Sequence, residues 1–336
     1  MKQARFYETL EDNRVRCTLC PFRCILAEGE TGVCGVRKNI NGTLMSLVWS
    51  KAVASGCDPI EKKPLFHVLP GSKAFSIATV GCNMRCAFCQ NSDISQYPRD
   101  TGGIIGQDLP PEKVVSMAVA AGCSSIAYTY TEPTIFMEYL LDIAVLAKEA
   151  GLLNVMVSNG FISTDVITGS LKGLIDAINC DLKAFSDRFY RDLCHARLSP
   201  VLDAIRAYHA SGIFTEITTL IIPGENDSDE ELRQIAAFIH SIDPDIPWHI
   251  SQYRPMYRYD KAGPTPTGSL EKARETGLDE GLHFVYIGNV TGHGGEDTYC
   301  PNCSRPIIKR QGFRVRDMHM RKNRCEYCDH IIPGRF

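Results

Sequence analysis

No run of about 18 apolar residues occurs in this chain of 336 residues, so it offers no helix long enough to cross a bilayer. The opening residues, Met1-Lys2-Gln3-Ala4-Arg5-Phe6-Tyr7-Glu8, lack the apolar stretch of a secretion signal, and a cytoplasmic location is expected. Excess charge is scarce too. A net charge of -3 gives no general attraction to nucleic acid or anionic membranes. Neither a GxGxxG turn nor a Walker lysine loop is present, which removes the usual support for an open nucleotide-binding sheet.

Cysteine is what the chain has in quantity: fifteen, of which eleven fall into three closely spaced groups. A compartment that keeps thiols reduced argues against a disulfide framework, so metals or clusters explain the groups better. With 44% hydrophobic and 22% charged residues, the rest is ordinary for a globular protein that buries a sizeable core.

The middle group, Cys82-Asn83-Met84-Arg85-Cys86-Ala87-Phe88-Cys89, spaces its sulfurs as CxxxCxxC directly after the apolar run Ala74 to Val80. That run reads as a buried strand ending at Gly81, which puts three thiolates in one loop at a strand's carboxyl end. A cubane cluster takes four thiolates, so three leave one iron with open coordination positions. A three-cysteine fragment of a zinc site is the other reading of the spacing alone.

From residue 74 to about 290 strand-like and helix-like segments alternate. Strands are expected near Phe75, Ser125, Asn154, Ala177, Phe214, Trp248 and Phe284, and helices at Pro111 to Ala118, Thr134 to Ala150, Pro200 to Ala210 and Glu230 to Ile242. Regular alternation implies α/β architecture, a parallel sheet with right-handed crossovers. In β/α barrels chemistry collects at the carboxyl ends of strands.

Two further cysteine groups flank this region. Cys17, Cys20, Cys24 and Cys34 fall within 18 residues and can close around zinc or a second iron-sulfur cluster, and the residues leave both open. Cys300 and Cys303, then Cys325 and Cys328 after 21 intervening residues, form a zinc-ribbon pattern, with rubredoxin-like iron as the other choice. Three regions are expected: a cysteine-rich head and linker over 1-70, a barrel over 71-292 and a zinc-ribbon-like tail over 293-336. The stretch Cys57-Asp58-Pro59-Ile60-Glu61-Lys62-Lys63-Pro64-Leu65-Phe66-His67 reads as an extended crossing segment, a plain interdomain linker or, less simply, one that lays Lys62, Lys63 and His67 across a site mouth. Cys57 reads as an inert thiol. The tail's Arg305, Lys309, Arg310, Arg314, Arg316, Arg321, Lys322 and Arg324 read as a solvated face or, less simply, a grip for RNA or an acidic protein.

The cluster loop, with Phe88 before its last cysteine, resembles that of the radical S-adenosylmethionine (SAM) enzymes. The head, the Asp-Pro-Ile-Glu-Lys-Lys-Pro-Leu segment and the tail resemble the AmmeMemoRadiSam-system branch, relatives of the pyruvate formate-lyase-activating enzymes. That resemblance implies a partial (β/α)6 TIM-like barrel and a [4Fe-4S] cluster on Cys82, Cys86 and Cys89, with SAM on its open iron. It further implies reductive cleavage of SAM followed by hydrogen abstraction from a protein residue or small substrate. Tyr130-Thr131-Glu132-Pro133 stands where the family has Gly-Gly-Glu-Pro, so Glu132 would bind the SAM ammonium. Ser158 and Asn159 would face the methionine or ribose part, with Asp181 and Lys183 near the sulfonium and carboxylate. Val157 replaces a carboxylate that helps hold a monovalent cation in the activating enzymes. Substrate contacts are expected from His249, Gln252, Tyr253 and Arg254. Implied partners are a low-potential flavodoxin- or ferredoxin-like electron donor and a Memo-type or AMMECR-type protein. The contrasting reading is a metal-stabilised RNA- or protein-binding module without catalysis.

Overall fold

The computed structural model describes residues 1-290 and 294-336. Thr291, Gly292 and His293, which include the expected boundary between barrel and tail, lie outside the described residues.

Eight strands form one sheet: β1 (Ala54–Pro59), β2 (Lys73–Ala78), β3 (Ser125–Tyr128), β4 (Leu153–Ser158), β5 (Ala177–Asp181), β6 (Phe214–Ile221), β7 (Trp248–Gln252) and β8 (Val285–Gly288). They lie side by side in chain order. β2 through β8 are parallel, and β1 pairs antiparallel with β2 along one edge. β1 and β8 are not paired, so the barrel is partial. Strands covered on both faces read as near-continuous apolar runs, and β3 is buried at all four positions. The fold class expected from the sequence is therefore the one observed.

The crossovers are α1 (Pro111–Ala120), α2 (Met137–Glu149), α3 (Leu198–Ala210), α4 (Asp229–Ile242) and α5 (Thr267–Asp279), with short irregular turns between β4 and β5. The helix expected from Thr134 opens instead as a 3-10 turn, Pro133–Phe136, because Pro133 starts it and the Glu132 side chain caps the Thr134 amide. No helix of the described residues is long and apolar enough to cross a membrane.

The head is built from short antiparallel strands in two three-stranded sheets. Its Val15, Leu19 and Val36 share one buried cluster with Met84 and Phe88 of the cysteine loop, so head and barrel have a continuous core. The tail folds on β9 (Pro306–Gln311) and β10 (Arg314–Met318), and Ile307, Ile308 and Ile332 pack on Phe66, Phe284 and Tyr286. The linker is not extended throughout. Ile60–Lys62 make a 3-10 turn, since the Lys63 amide reaches the Ile60 carbonyl at 2.9 Å and the buried Glu61 accepts the Gly71 amide at 2.8 Å.

Candidate active site and cysteine centres

Chain direction gathers the carboxyl ends of β2 to β8 around one cavity of about 450 Å³. Cys82 and Cys86 are buried and Cys89 half-buried, and all three line it. Gly81 makes the sharp entry to their loop at φ +98°, where a Cβ would meet Val36 Cγ1 at 2.6 Å and the Cys34 carbonyl at 2.9 Å. Only glycine fits there without movement.

The same cavity is lined by Tyr130 and Thr131 after β3, Ser158 and Asn159 at the end of β4, and Asp181 and Lys183 at the end of β5. Asn159 Nδ2 donates to Asn83 Oδ1 at 2.9 Å and lies 3.7 Å from Cys82 Sγ, while Asn83 Nδ2 donates to the Phe161 carbonyl at 2.7 Å. The Asn-Gly-Phe turn thus grips the loop. Lys183 Nζ sits 2.7 Å from Asp181 Oδ2. Burial works against the ammonium, yet Asp181 together with Cys86 and Cys194 holds its pKa well above the ordinary lysine value, so it stays charged. Phe88 lines the cavity and packs on Phe189, ring centroids 5.6 Å apart.

Glu132 is fully buried and does not line the cavity. Its Oε1 accepts from the Thr134 amide (3.0 Å), Thr134 Oγ1 (2.6 Å) and Ser158 Oγ (2.8 Å), and its Oε2 from the Asn159 amide (2.8 Å). The carboxylate expected to meet an ammonium is instead engaged by four donors of its own chain. Burial pushes its pKa up and those donors pull it back.

Tyr130 holds a left-handed backbone, φ +67°, a conformation that favours glycine. Its hydroxyl donates to Asp58, its carbonyl accepts from Asn91 Nδ2 at 2.9 Å, and Lys63 Nζ lies 4.4 Å from its ring. These contacts hold an unfavourable conformation in place. Asp58 also accepts from Lys62 and Lys63, at 2.7 Å each. Burial pushes Asp58 up, but those two ammonium groups with Tyr130 and Ser76 hold its carboxyl well below the usual range.

Other expected contacts divide. Lys62, Lys63 and His249 line the cavity, whereas His67, Gln252, Tyr253 and Arg254 do not. His67 turns away because its ring is buried between the Pro333 carbonyl (2.8 Å) and Tyr286 hydroxyl (2.7 Å). Tyr253 donates to the Tyr259 carbonyl at 2.6 Å, and Gln252 to the Thr265 carbonyl at 2.9 Å. Arg310, counted in the basic face, is buried against Phe66 and bonds Thr298 Oγ1 at 2.7 Å and the Phe66 carbonyl at 2.8 Å.

Two residues at the loop gave no sequence signal. The free Cys194 thiol neighbours that of Cys86, and this, then burial, pushes the Cys86 pKa well up. The Cys194 carbonyl accepts the Arg85 amide at 2.9 Å. Arg99 donates to the carbonyls of Cys82 (2.5 Å), Met84 (2.9 Å) and, in the head, Val33 (2.7 Å).

The pattern of the radical SAM superfamily matches residues 76-237. An uncharacterized protein of Methanocaldococcus jannaschii is 44% identical over 99% of both chains. A second protein of that organism, provisionally named a glycyl-radical enzyme activating enzyme, is 26% identical over 74% of this chain and 92% of its own. In fold, the chain is similar to a radical SAM methyltransferase from Sphaerobacter thermophilus, with TM-score 0.50 and 15% identity over 69% of this chain and 70% of that one. The chain belongs to the radical SAM superfamily.

The radical SAM loop suits the cluster that superfamily implies. Its three thiols open onto the cavity, and they do not crowd as ligands of one ion do. Among the described residues, Cys300, Cys303, Cys325 and Cys328 are the group whose ligand atoms all lie within 4.8 Å of one another. Two of the pairs, Cys300 with Cys328 at 3.6 Å and Cys303 with Cys325 at 3.8 Å, match the edge of about 3.8 Å around one metal with bonds of about 2.3 Å. This tail site fits a single tetrahedral ion.

Cys17, Cys20, Cys24 and Cys34 line a small, almost wholly apolar cavity of their own. Burial raises Cys34 to about 11, and the neighbouring thiols of Cys17 and Cys24 add to it.

Proposed function

We propose that this radical SAM enzyme takes a hydrogen atom from a protein residue, as a glycyl-radical activating enzyme does, with a small metabolite as the other class of substrate. The observation that carries the reading is the cysteine trio on the wall of the cavity where the strand ends converge. The relative named for glycyl-radical enzyme activation supports the choice of a protein substrate.

Cys82, Cys86 and Cys89 hold a [4Fe-4S] cluster in this reading. The chemistry such a cluster supplies when bound is one-electron reduction of the SAM sulfonium, giving methionine and a 5'-deoxyadenosyl group that takes hydrogen. Asp181 and Lys183 orient the charged amino-acid end of SAM, and Ser158 and Asn159 its methionine or ribose part. Glu132 acts behind them: its hydrogen bonds fix the Ser158 hydroxyl and Asn159 amide, making it a positioning residue. Met84 and Phe88, both buried, keep water from the loop. Cluster potentials span about -700 to +450 mV, and a sulfonium demands the low end, so a flavodoxin- or ferredoxin-type donor is required. A Memo-type or AMMECR-type protein is the first candidate to present the substrate residue. The tail quartet holds zinc.

The test is reductive SAM cleavage. Anaerobically reconstituted protein with SAM and dithionite is expected to release 5'-deoxyadenosine, and the Cys86→Ala variant none. Equal, background-level release from both would overturn the reading. Deuterium passing from a labelled partner into deoxyadenosine would identify the substrate.

A further inference from the structure

The head cysteines differ from the tail quartet in how their ligand atoms are set. All four line one cavity walled by Leu19, Phe22 and Ile135, and among the described residues the close-set ligand group, with atoms within 4.8 Å of one another, is the tail quartet and not this one. Around one ion, four thiolates must sit at the edges of a small tetrahedron. In an iron-sulfur cluster the thiolates are divided between separate irons bridged by sulfide, so they stand wider apart. A largely apolar wall also suits a cluster, whose charge is spread over several atoms.

The second observation is where this cavity lies. Its wall includes Asn83, the residue after Cys82. The Cys34 carbonyl stands 2.9 Å from where a Cβ on Gly81 would be, so the two cysteine loops touch through their backbones. One guanidinium, that of Arg99, bonds the Val33 carbonyl on one side and the Cys82 and Met84 carbonyls on the other. Arg37 also lines the head cavity, its charge balanced by a two-pronged pair with buried Glu138 at 2.8 and 3.0 Å.

We propose that Cys17, Cys20, Cys24 and Cys34 hold a second iron-sulfur cluster, which receives one electron from a reduced ferredoxin-type donor and passes it to the centre on the barrel loop. The donor is oxidised by one electron, the head cluster is reduced and reoxidised, and no proton need move. The presence of the head cluster is independent of the SAM reading, whereas its relay role rests on that reading.

The experiment separates the two. In the Cys82→Ala/Cys86→Ala/Cys89→Ala protein, anaerobic reconstitution should leave about two to four irons per chain with matching acid-labile sulfide, and a paramagnetic signal on dithionite reduction. Adding Cys20→Ser and Cys24→Ser should remove them. Zinc without sulfide in the triple variant overturns the head cluster, as does loss of all iron with an unchanged circular dichroism spectrum. Either result leaves SAM cleavage by the wild type standing. For the relay, Cys20→Ser/Cys24→Ser should lose ferredoxin-driven deoxyadenosine release relative to dithionite-driven release. An equal fall in both overturns that role.

Discussion

At the residue scale, Glu132 and Arg99 both support the cysteine loop, Glu132 through Asn159 and Arg99 directly. A glutamine at 132 would turn an amide nitrogen toward donors that now face a carboxylate, leaving buried groups unmatched. Glu132→Gln is expected to destabilise the protein by roughly 2-4 kcal/mol in denaturant titration. A variant with wild-type stability that no longer binds SAM would instead make Glu132 a direct ligand. Arg99 spans three carbonyls with a planar fork that a lysine ammonium cannot reproduce. Arg99→Lys should therefore cost about 1-3 kcal/mol and lower the iron retained after reconstitution, read by metal analysis. The cysteine groups were legible because ligand spacing is local. Arg99 was not, because its partners lie 66, 17 and 15 residues away and are backbone atoms that carry no residue signature. Cys194 was hidden likewise, 108 residues beyond its partner Cys86.

At the scale of elements, strands were the most legible part. Buried parallel strands are apolar runs bounded by glycine, proline or charge, and the seven expected starts fall within two residues of those of β2 through β8. α4 begins where a cap residue announces it, with Ser228 Oγ accepting the Glu231 amide at 3.2 Å. α5 carries Gly268 and Gly277 and few apolar residues, so its sequence signal is weak. Gly277 lies against Trp248, where a Cβ would stand 2.9 Å from the indole, and packing rather than propensity keeps the helix. The turn at Gly81 is the element on which head and barrel meet. Gly81→Ala would place a methyl group against Val36 and the Cys34 carbonyl in a left-handed backbone, and about 1-3 kcal/mol of destabilisation is expected. Equal unfolding midpoints for variant and wild type would show that the two loops are not held in contact there.

At the scale of the whole molecule, a directed chain of hydrogen bonds ties the tail to the barrel. The His67 Nδ1 proton goes to the Pro333 carbonyl, which leaves Nε2 to accept from the Tyr286 hydroxyl at 2.7 Å. Tyr286 in turn meets Thr298 at 2.9 Å, and Thr298 accepts from Arg310 at 2.7 Å. Glu216 closes the other side, taking the Phe66 and His67 amides and His249 Nε2 at 3.0, 2.9 and 2.6 Å. A protonated His67 would have two donors, and the Tyr286 hydroxyl would lose its acceptor. Burial accordingly lowers the His67 pKa to about 4, with Arg310 and His249 adding to the fall and Glu216 opposing it. Because the folded value lies below the unfolded value of about 6.5, the unfolded chain binds more protons between the two. Stability is full above pH 6.5 and falls as pH drops toward 4, by up to about 3 kcal/mol. Two neighbours overlap this window: Glu216, whose pKa His249 and His67 lower despite burial, loses stability in the same direction at lower pH, while Glu61, raised by burial, works in the opposite sense. The difference between proteins isolates the histidine. His67→Gln should be less stable at pH 7 yet lose less on acidification from 6.5 to 4 than wild type, measured as urea midpoints across that range. Parallel curves for the two proteins would mean that protonation at this joint does not govern how the tail is held.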